Sequence, residues 1–151
     1  RGGAIGGSSA GATIQGEYLV RGSPLGNTIM MAEGYERGFG FLPGAIVDQH
    51  FLQRSRHNRL LSAVLERPGL LGVGIDEQTA ILVRPDGRWE ILGDSYVKVF
   101  DARRARIAPD GGPLTGSSDI TLHLLPSRSV YDPANGTSRL PDGRRDGPGH
   151  A

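Results

Sequence analysis

Gly6-Gly7-Ser8-Ser9-Ala10-Gly11-Ala12, directly after Ala4-Ile5, is the stretch on which the reading of this chain turns. A Gly-x-Ser-x-Gly turn between a strand and a helix holds its serine in a strained backbone conformation. Small residues two places to either side let the turn close. Centred on Ser9, the pattern has Gly7 and Gly11 at those places, and Ala10 leaves the approach open. Centred on Ser8, it would put Ala10 where glycine is wanted. Ser9 is therefore the candidate nucleophile, and the Ala10 amide the candidate donor to a developing oxyanion. Glycine-serine clusters also make plain loops, so the motif needs partners elsewhere in the chain.

The 151 residues suit one domain, yet residues 1–5 already read as the end of a buried strand. Folds with such an elbow usually place several strands before it, so the chain reads as the C-terminal part of a larger α/β domain. Its 24 glycines exceed the usual share of about 7%, as expected of many tight loops. With 17 basic and 16 acidic residues, no global field recruits nucleic acid. The absence of cysteine excludes disulfides, thiolate metal sites and a cysteine nucleophile. No apolar run approaches the ~20 residues of a membrane span. The four histidines are too scattered for metal-ligand spacing, and no cofactor is expected.

Along the chain, residues 9–20 suit a helix weakened by Gly11 and Gly16, followed by a glycine-rich loop over 21–38 with an apolar patch at Ile29-Met30-Met31-Ala32. Residues 45–47 read as a strand that ends at Asp48-Gln49-His50-Phe51. The best helix is 51–66, with Leu52, Leu60, Leu61, Val64 and Leu65 on one face and Pro68-Gly69 as its stop. Residues 70–75 read as a buried strand. Residues 80–83 and 89–92 flank the turn Pro85-Asp86-Gly87 as a hairpin, and 96–101 and 120–125 are further strands. From Pro141 onward the composition predicts disorder.

Three reactive groups then occur in order, each placed at the C-terminal end of a strand, where parallel sheets gather their sites: Ser9, His50 and Glu77. A serine hydroxyl needs a base to take its proton, and the base needs an orienting carboxylate. The order Ser–His–Glu differs from the Ser–Asp–His order of α/β-hydrolases. By itself His50 reads as a strand-end histidine bonded to backbone, and Glu77 as a solvated loop carboxylate for whose role Asp76 competes. His57, His123 and His150 read as helix surface, sheet and tail. Arg54, Arg56 and Arg59 follow His50; Arg56 and Arg59, three apart, share a helix face. Such a run is by default a solvated basic face. Alternatively its guanidinium forks clamp carboxylates, and Asp48 orders the cluster or meets a substrate cation.

Taken together, Gly7-Ser8-Ser9-Ala10-Gly11-Ala12, Leu42-Pro43-Gly44 followed by Asp48-Gln49-His50-Phe51 and the arginines, and Gly74-Ile75-Asp76-Glu77 with Thr79-Ala80 resemble the cyanophycinases. These are serine peptidases of the peptidase E-like group, with a fold related to class I glutamine amidotransferases. The resemblance covers roughly residues 1–125, and Gly93-Asp94-Ser95 and residues 114–123 resemble the family's later strands. It implies a three-layer α/β/α fold with a mostly parallel sheet, present in its C-terminal part only over residues 1–140 and ending in antiparallel hairpin strands, with a disordered tail over 141–151. It implies Ser9 as nucleophile, His50 as base and Glu77 as orienting acid, with Asp48, Gln49, Arg54, Arg56 and Arg59 at substrate-pocket positions. The family substrate is cyanophycin, a poly-aspartate backbone bearing arginine on each β-carboxyl, cleaved to β-aspartyl-arginine. The family's usual threonine before the nucleophile is Ser8 here. Its N-terminal half, which supplies central strands, part of the oxyanion hole and a pocket glutamine, has no counterpart. The 151 residues alone are accordingly expected to fold poorly and lack activity.

Two other functions are kept beside cyanophycin hydrolysis: an aspartyl dipeptidase of the peptidase E type, and a catalytically silent module that binds acidic polymer through its arginines. No nucleic-acid or membrane partner is expected. A homodimer is left open. The cytoplasm is favoured, with secretion open because the N-terminus is not visible.

Overall fold

The computed structural model describes residues 2–20, 36–108 and 116–142. The apolar patch at 29–32 and the tail from 143 onward lie outside the described residues. The elements, in order, are α1 (Ala10–Thr13), β1 (Gly16–Tyr18), β2 (Leu42–Gln49), α2 (His57–Glu66), β3 (Leu71–Ile75), β4 (Thr79–Val83), β5 (Trp89–Gly93), β6 (Val97–Asp101), β7 (Arg106–Ile107), β8 (Ser117–Ser118), β9 (Thr121–Leu125), β10 (Val130–Asp132) and β11 (Thr137–Arg139).

The main sheet has the order β1-β2-β3-β6-β9. Its first three strands run parallel, whereas β6 and β9 run antiparallel to their neighbours. A second sheet, β11-β10-β5-β4, is antiparallel throughout. The fold is thus mixed α/β with few helices. The mostly parallel sheet expected from the sequence is parallel on one side only.

Strand alternation splits the core in two. Ala45 and Val47 point one way from β2, into a cluster with Val73, Val97, Val99 and Leu125, closed by Trp89, Ile91 and Tyr131 from the second sheet. Ile46 points the other way and joins Phe51, Phe100 and, from α2, Leu60, Ala63 and Val64. Gly72 and Gly74 present bare backbone to this second layer. A Cβ at Gly72 would lie 2.4 Å from a Val64 methyl, and one at Gly74 2.5 Å from the Phe51 ring. Glycine therefore lets α2 and Phe51 lie directly on β3.

Three expectations are corrected. The helix predicted over 9–20 is a single turn, because Gly16 turns the chain into β1 so close to β2 that a Cβ there would meet the Ala45 carbonyl at 2.9 Å. The helix predicted from residue 51 starts at His57. Residues 51–55 form turns instead, Ser55 has φ +49°, and Leu52 is exposed rather than on the apolar face. Residues 2–8 belong to no strand. The hairpin around Pro85-Asp86-Gly87 forms as read, with Gly87 at φ +84°. The hairpin of β10 and β11 was not read from the sequence, although Asn135-Gly136 at its turn, with Gly136 at φ +66°, is a recognised signal.

His123, on β9, stacks edge-on against Tyr131 at 5.0 Å, and its Nδ1 bonds the Ser138 hydroxyl at 3.1 Å. Burial lowers its pKa from the ordinary 6.5, opposed by Asp101, and raises that of Tyr131 to about 12. The folded state therefore binds the His123 proton less readily than the unfolded chain does. Stability from this group is present above pH 6.5 and is lost as pH falls below it. In urea titrations of the full-length protein between pH 5 and 7.5, the difference in stability between wild type and His123→Gln is expected to shrink toward acid. A constant difference would contradict the assignment.

Candidate active site

β2 and β3 pair in parallel with Gln49 opposite Ile75. His50 thus follows the end of one strand, and Glu77 lies two residues past the end of its neighbour. The expected strand-end placement holds for these two; Ser9 instead precedes α1, with no strand among the described residues before it.

Ser9 caps α1 with φ +51° and ψ −122°, a conformation that side-chain-bearing residues rarely adopt. A Cβ at Gly7 would sit 2.1 Å from the Gly11 carbonyl oxygen, so the residue at minus two must be glycine. A Cβ at Gly11 itself meets nothing within 4 Å, so the turn does not require glycine at plus two. The Ser9 hydroxyl lies 3.0 Å from His50 Nε2, and His50 Nδ1 lies 2.8 Å from Glu77 Oε1. With the ring proton on Nδ1, the hydroxyl donates to Nε2 and Nδ1–H donates to the carboxylate. His50 is itself at φ +47°, which turns its ring out of the strand path. All three groups are open to solvent, with 28% of the His50 and 50% of the Glu77 side chain exposed. Ala10 begins the helix, where amides lack intrahelical acceptors.

Asp76 and Glu77, adjacent in sequence, go opposite ways. Asp76 is buried and its carboxylate is filled by Lys98, Ser95 and the amides of Leu52 and Tyr96. Of the two acids, it is Glu77 that bonds His50.

Asp48, fully buried, points to the α2 side of β2. It accepts from Arg56 Nη1 at 3.1 Å and from Arg59 Nε at 2.9 Å, with Arg59 Nη2 also against it. Arg56 Nη1 further donates to the Gln49 carbonyl at 2.7 Å. Burial lowers the Arg56 pKa, and Asp48 opposes this. The guanidinium forks of Arg56 and Arg59, read as a solvated face or as a carboxylate clamp, thus bond the protein's own Asp48. Arg54 is exposed, and no side-chain partner engages it among the described residues. Gln49 is on the opposite face from Asp48, in the wall of a cleft of about 750 Å³, and its Oε1 is buried without a partner among the described residues. Ser9, His50 and Glu77 also line this cleft, whose apolar lining includes Val47, Ile75 and Ile81. His57 packs against Phe51 at 4.6 Å, away from the site chemistry. Gln53, which sequence reasoning passed over, accepts from the Glu77 amide at 3.2 Å; a lone glutamine in a turn carries no signal.

Among the described residues no group of three His, Asp or Glu side chains could hold a metal ion, and no helix is long and apolar enough to cross a membrane.

The model of peptidase family S51 matches residues 1–91. The chain belongs to peptidase family S51. It is 36% identical over 122 residues to a cyanophycinase of Geminocystis herdmanii, covering 80% of this chain and 44% of that protein. It is 37% identical over 127 residues to one from Nostoc sp., covering 80% and 41%. To one from Synechococcus elongatus it is 39% identical over 137 residues, covering 85% and 41%. The chain spans less than half the length of these relatives.

Two outcomes follow for the full-length protein. Gly7→Ala forces the elbow open and should cut kcat about 100-fold, the scale of a 1 Å misplacement; unchanged turnover would show that the turn tolerates a Cβ. Arg59→Ala removes one partner of a buried carboxylate and should cost about 3 kcal/mol of stability in urea denaturation. A variant as stable as wild type would return Arg59 to the solvated-face reading.

Proposed function

We propose that the protein to which this chain belongs is a serine peptidase that hydrolyses cyanophycin to β-aspartyl-arginine through Ser9, His50 and Glu77. The observation that carries this reading is the unbroken path of hydrogen bonds Ser9–His50–Glu77, at 3.0 and 2.8 Å. Similarity to cyanophycinases along most of the chain supports the substrate class. The fold of the whole domain is inferred to be the three-layer α/β/α arrangement of class I glutamine amidotransferases.

In the proposed reaction, Ser9 Oγ attacks the scissile carbonyl as His50 Nε2 takes its proton. The oxyanion accepts from the Ala10 amide, and Glu77 stabilises the imidazolium through Nδ1–H. His50 returns the proton to the leaving amine, leaving an acyl-enzyme on Ser9. Water, deprotonated by His50, then releases the acid and restores the hydroxyl. The substrate presents both carboxylates and guanidinium groups. Arg54, whose amide bonds the His50 carbonyl and whose side chain has no partner among the described residues, is suited to a substrate carboxylate, and Gln49 Oε1, likewise without a partner there, to an amide or guanidinium N–H. Asp48, Arg56 and Arg59 serve the pocket from behind, by fixing the backbone that carries Gln49 and His50.

The test incubates the full-length protein and its Ser9→Ala variant with insoluble cyanophycin granules and identifies released products by mass spectrometry. The parent is expected to release β-aspartyl-arginine. The variant should retain at most the slow catalysis left when a triad member is removed. No release from a folded parent that cleaves aspartyl dipeptides would favour the peptidase E-type reading. No cleavage of either, with retention on granules, would favour a silent binding module.

A further inference from the structure

The turns that carry His50 and Glu77 are tied together by groups that touch neither reacting atom. Asp76 Oδ1 accepts from the Leu52 amide at 3.1 Å, so the residue before Glu77 holds the turn that follows His50. Gln53 Oε1, on that same turn, accepts from the Glu77 amide at 3.2 Å. The two bonds run in opposite directions between the turns, and each joins backbone to side chain. A third bond, from the Phe51 amide to the Ile75 carbonyl at 3.1 Å, continues the strand pairing up to them.

Asp76 is itself fixed. Its carboxylate receives Lys98 Nζ at 3.2 Å on both oxygens, the Ser95 hydroxyl at 2.8 Å and the Tyr96 amide at 3.3 Å. Lys98 stands opposite Gly74 in the β3–β6 register, and its Nζ lies 5.6 Å from the centre of the Phe51 ring. A buried ion pair thus sits directly beneath the two turns. Without such ties the turns would rest on strained residues alone, since His50 and Gln78 both have positive φ, at +47° and +55°.

We propose that Asp76 and Gln53 are positioning residues that hold Glu77 at bonding distance from His50, with Lys98 keeping Asp76 in place. The inference rests on the reading of His50 and Glu77 as base and orienting acid. Asp76 borders the cleft, but its carboxylate is taken up by Lys98, Ser95 and two amides, and Gln53 lies outside the lining, so neither side chain is assigned a substrate contact. Their loss should lower kcat and leave KM nearly untouched, because the substrate pocket stays as it was while the imidazole loses its fixed orientation.

The experiment compares Asp76→Asn, Gln53→Met and Glu77→Gln in the full-length protein, with kcat and KM measured on a soluble β-aspartyl-arginine oligomer and folding followed by urea denaturation. Asp76→Asn keeps the shape but leaves Lys98 without a counter-charge, so it will also lose stability. Gln53→Met replaces an exposed side chain of similar length and should remain as stable as wild type. Both variants are expected to lose about 10- to 100-fold in kcat, the scale set by small misplacements of reacting groups, with KM within about twofold. Should Asp76→Asn fail to fold, Gln53→Met decides alone. Gln53→Met with wild-type kcat, while Glu77→Gln is impaired, overturns the positioning role and leaves the triad standing. Glu77→Gln with wild-type kcat overturns the triad and this inference with it. A rise in KM without loss of kcat would place the two residues in substrate binding and also overturn the proposal.

Discussion

The in-register parallel pairing of β2 with β3 is the constraint on which the rest of the site depends. With Gln49 opposite Ile75, the residues past the two strand ends lie side by side. Because side chains alternate with a period of two, a slip by one residue would send Asp48 into the cleft and Gln49 into the core. Burial enforces the register from both faces. Ala45 and Val47 must meet Trp89 and Tyr131, while Ile46 must meet α2. The charge on Asp48 adds a penalty against slippage, since it finds its arginines only on the α2 side.

That side of the sheet also explains how so short a helix is held. α2 has ten residues, too few to be stable alone in water. It lies on bare β3 backbone at Gly72, and its first turn carries Arg59, whose guanidinium is bonded to β2 through Asp48. Buried ion pairs add little stability compared with well-packed apolar groups. Arg56 and Arg59 instead tie the start of the helix to β2, next to the turn that carries His50.

Much of this was legible in the sequence. β3, β4, β5, β6 and β9 matched the apolar runs read as strands, because alternation and turn residues are local signals. Ser9, His50 and Glu77 were each singled out from their residue type and from the ends of those runs, and in the structure they lie together. What was not legible depended on neighbours distant in sequence. Leu52 has helical spacing to the apolar residues at 60–65, but the Phe51 and Leu52 amides are taken by Ile75 and Asp76, so the helix starts later. The spacing of Arg56 and Arg59 left a solvated face and a carboxylate clamp both open, because it says nothing of which face β2 turns toward them. Gly16 promised only a weak helix and proved to mark a strand, since the close approach of β2 cannot be seen from the residues around it.

Ser9, His50, Ser55 and Gln78 all have positive φ without being glycine. Conformations of this kind cost on the order of 1–3 kcal/mol each and persist only where surrounding contacts over-determine them. The reactive corner of the molecule therefore draws on the stability of the sheet behind it rather than adding to it. Its geometry is borrowed from the whole, and any loosening of the core will reach the serine and the histidine before it melts the strands.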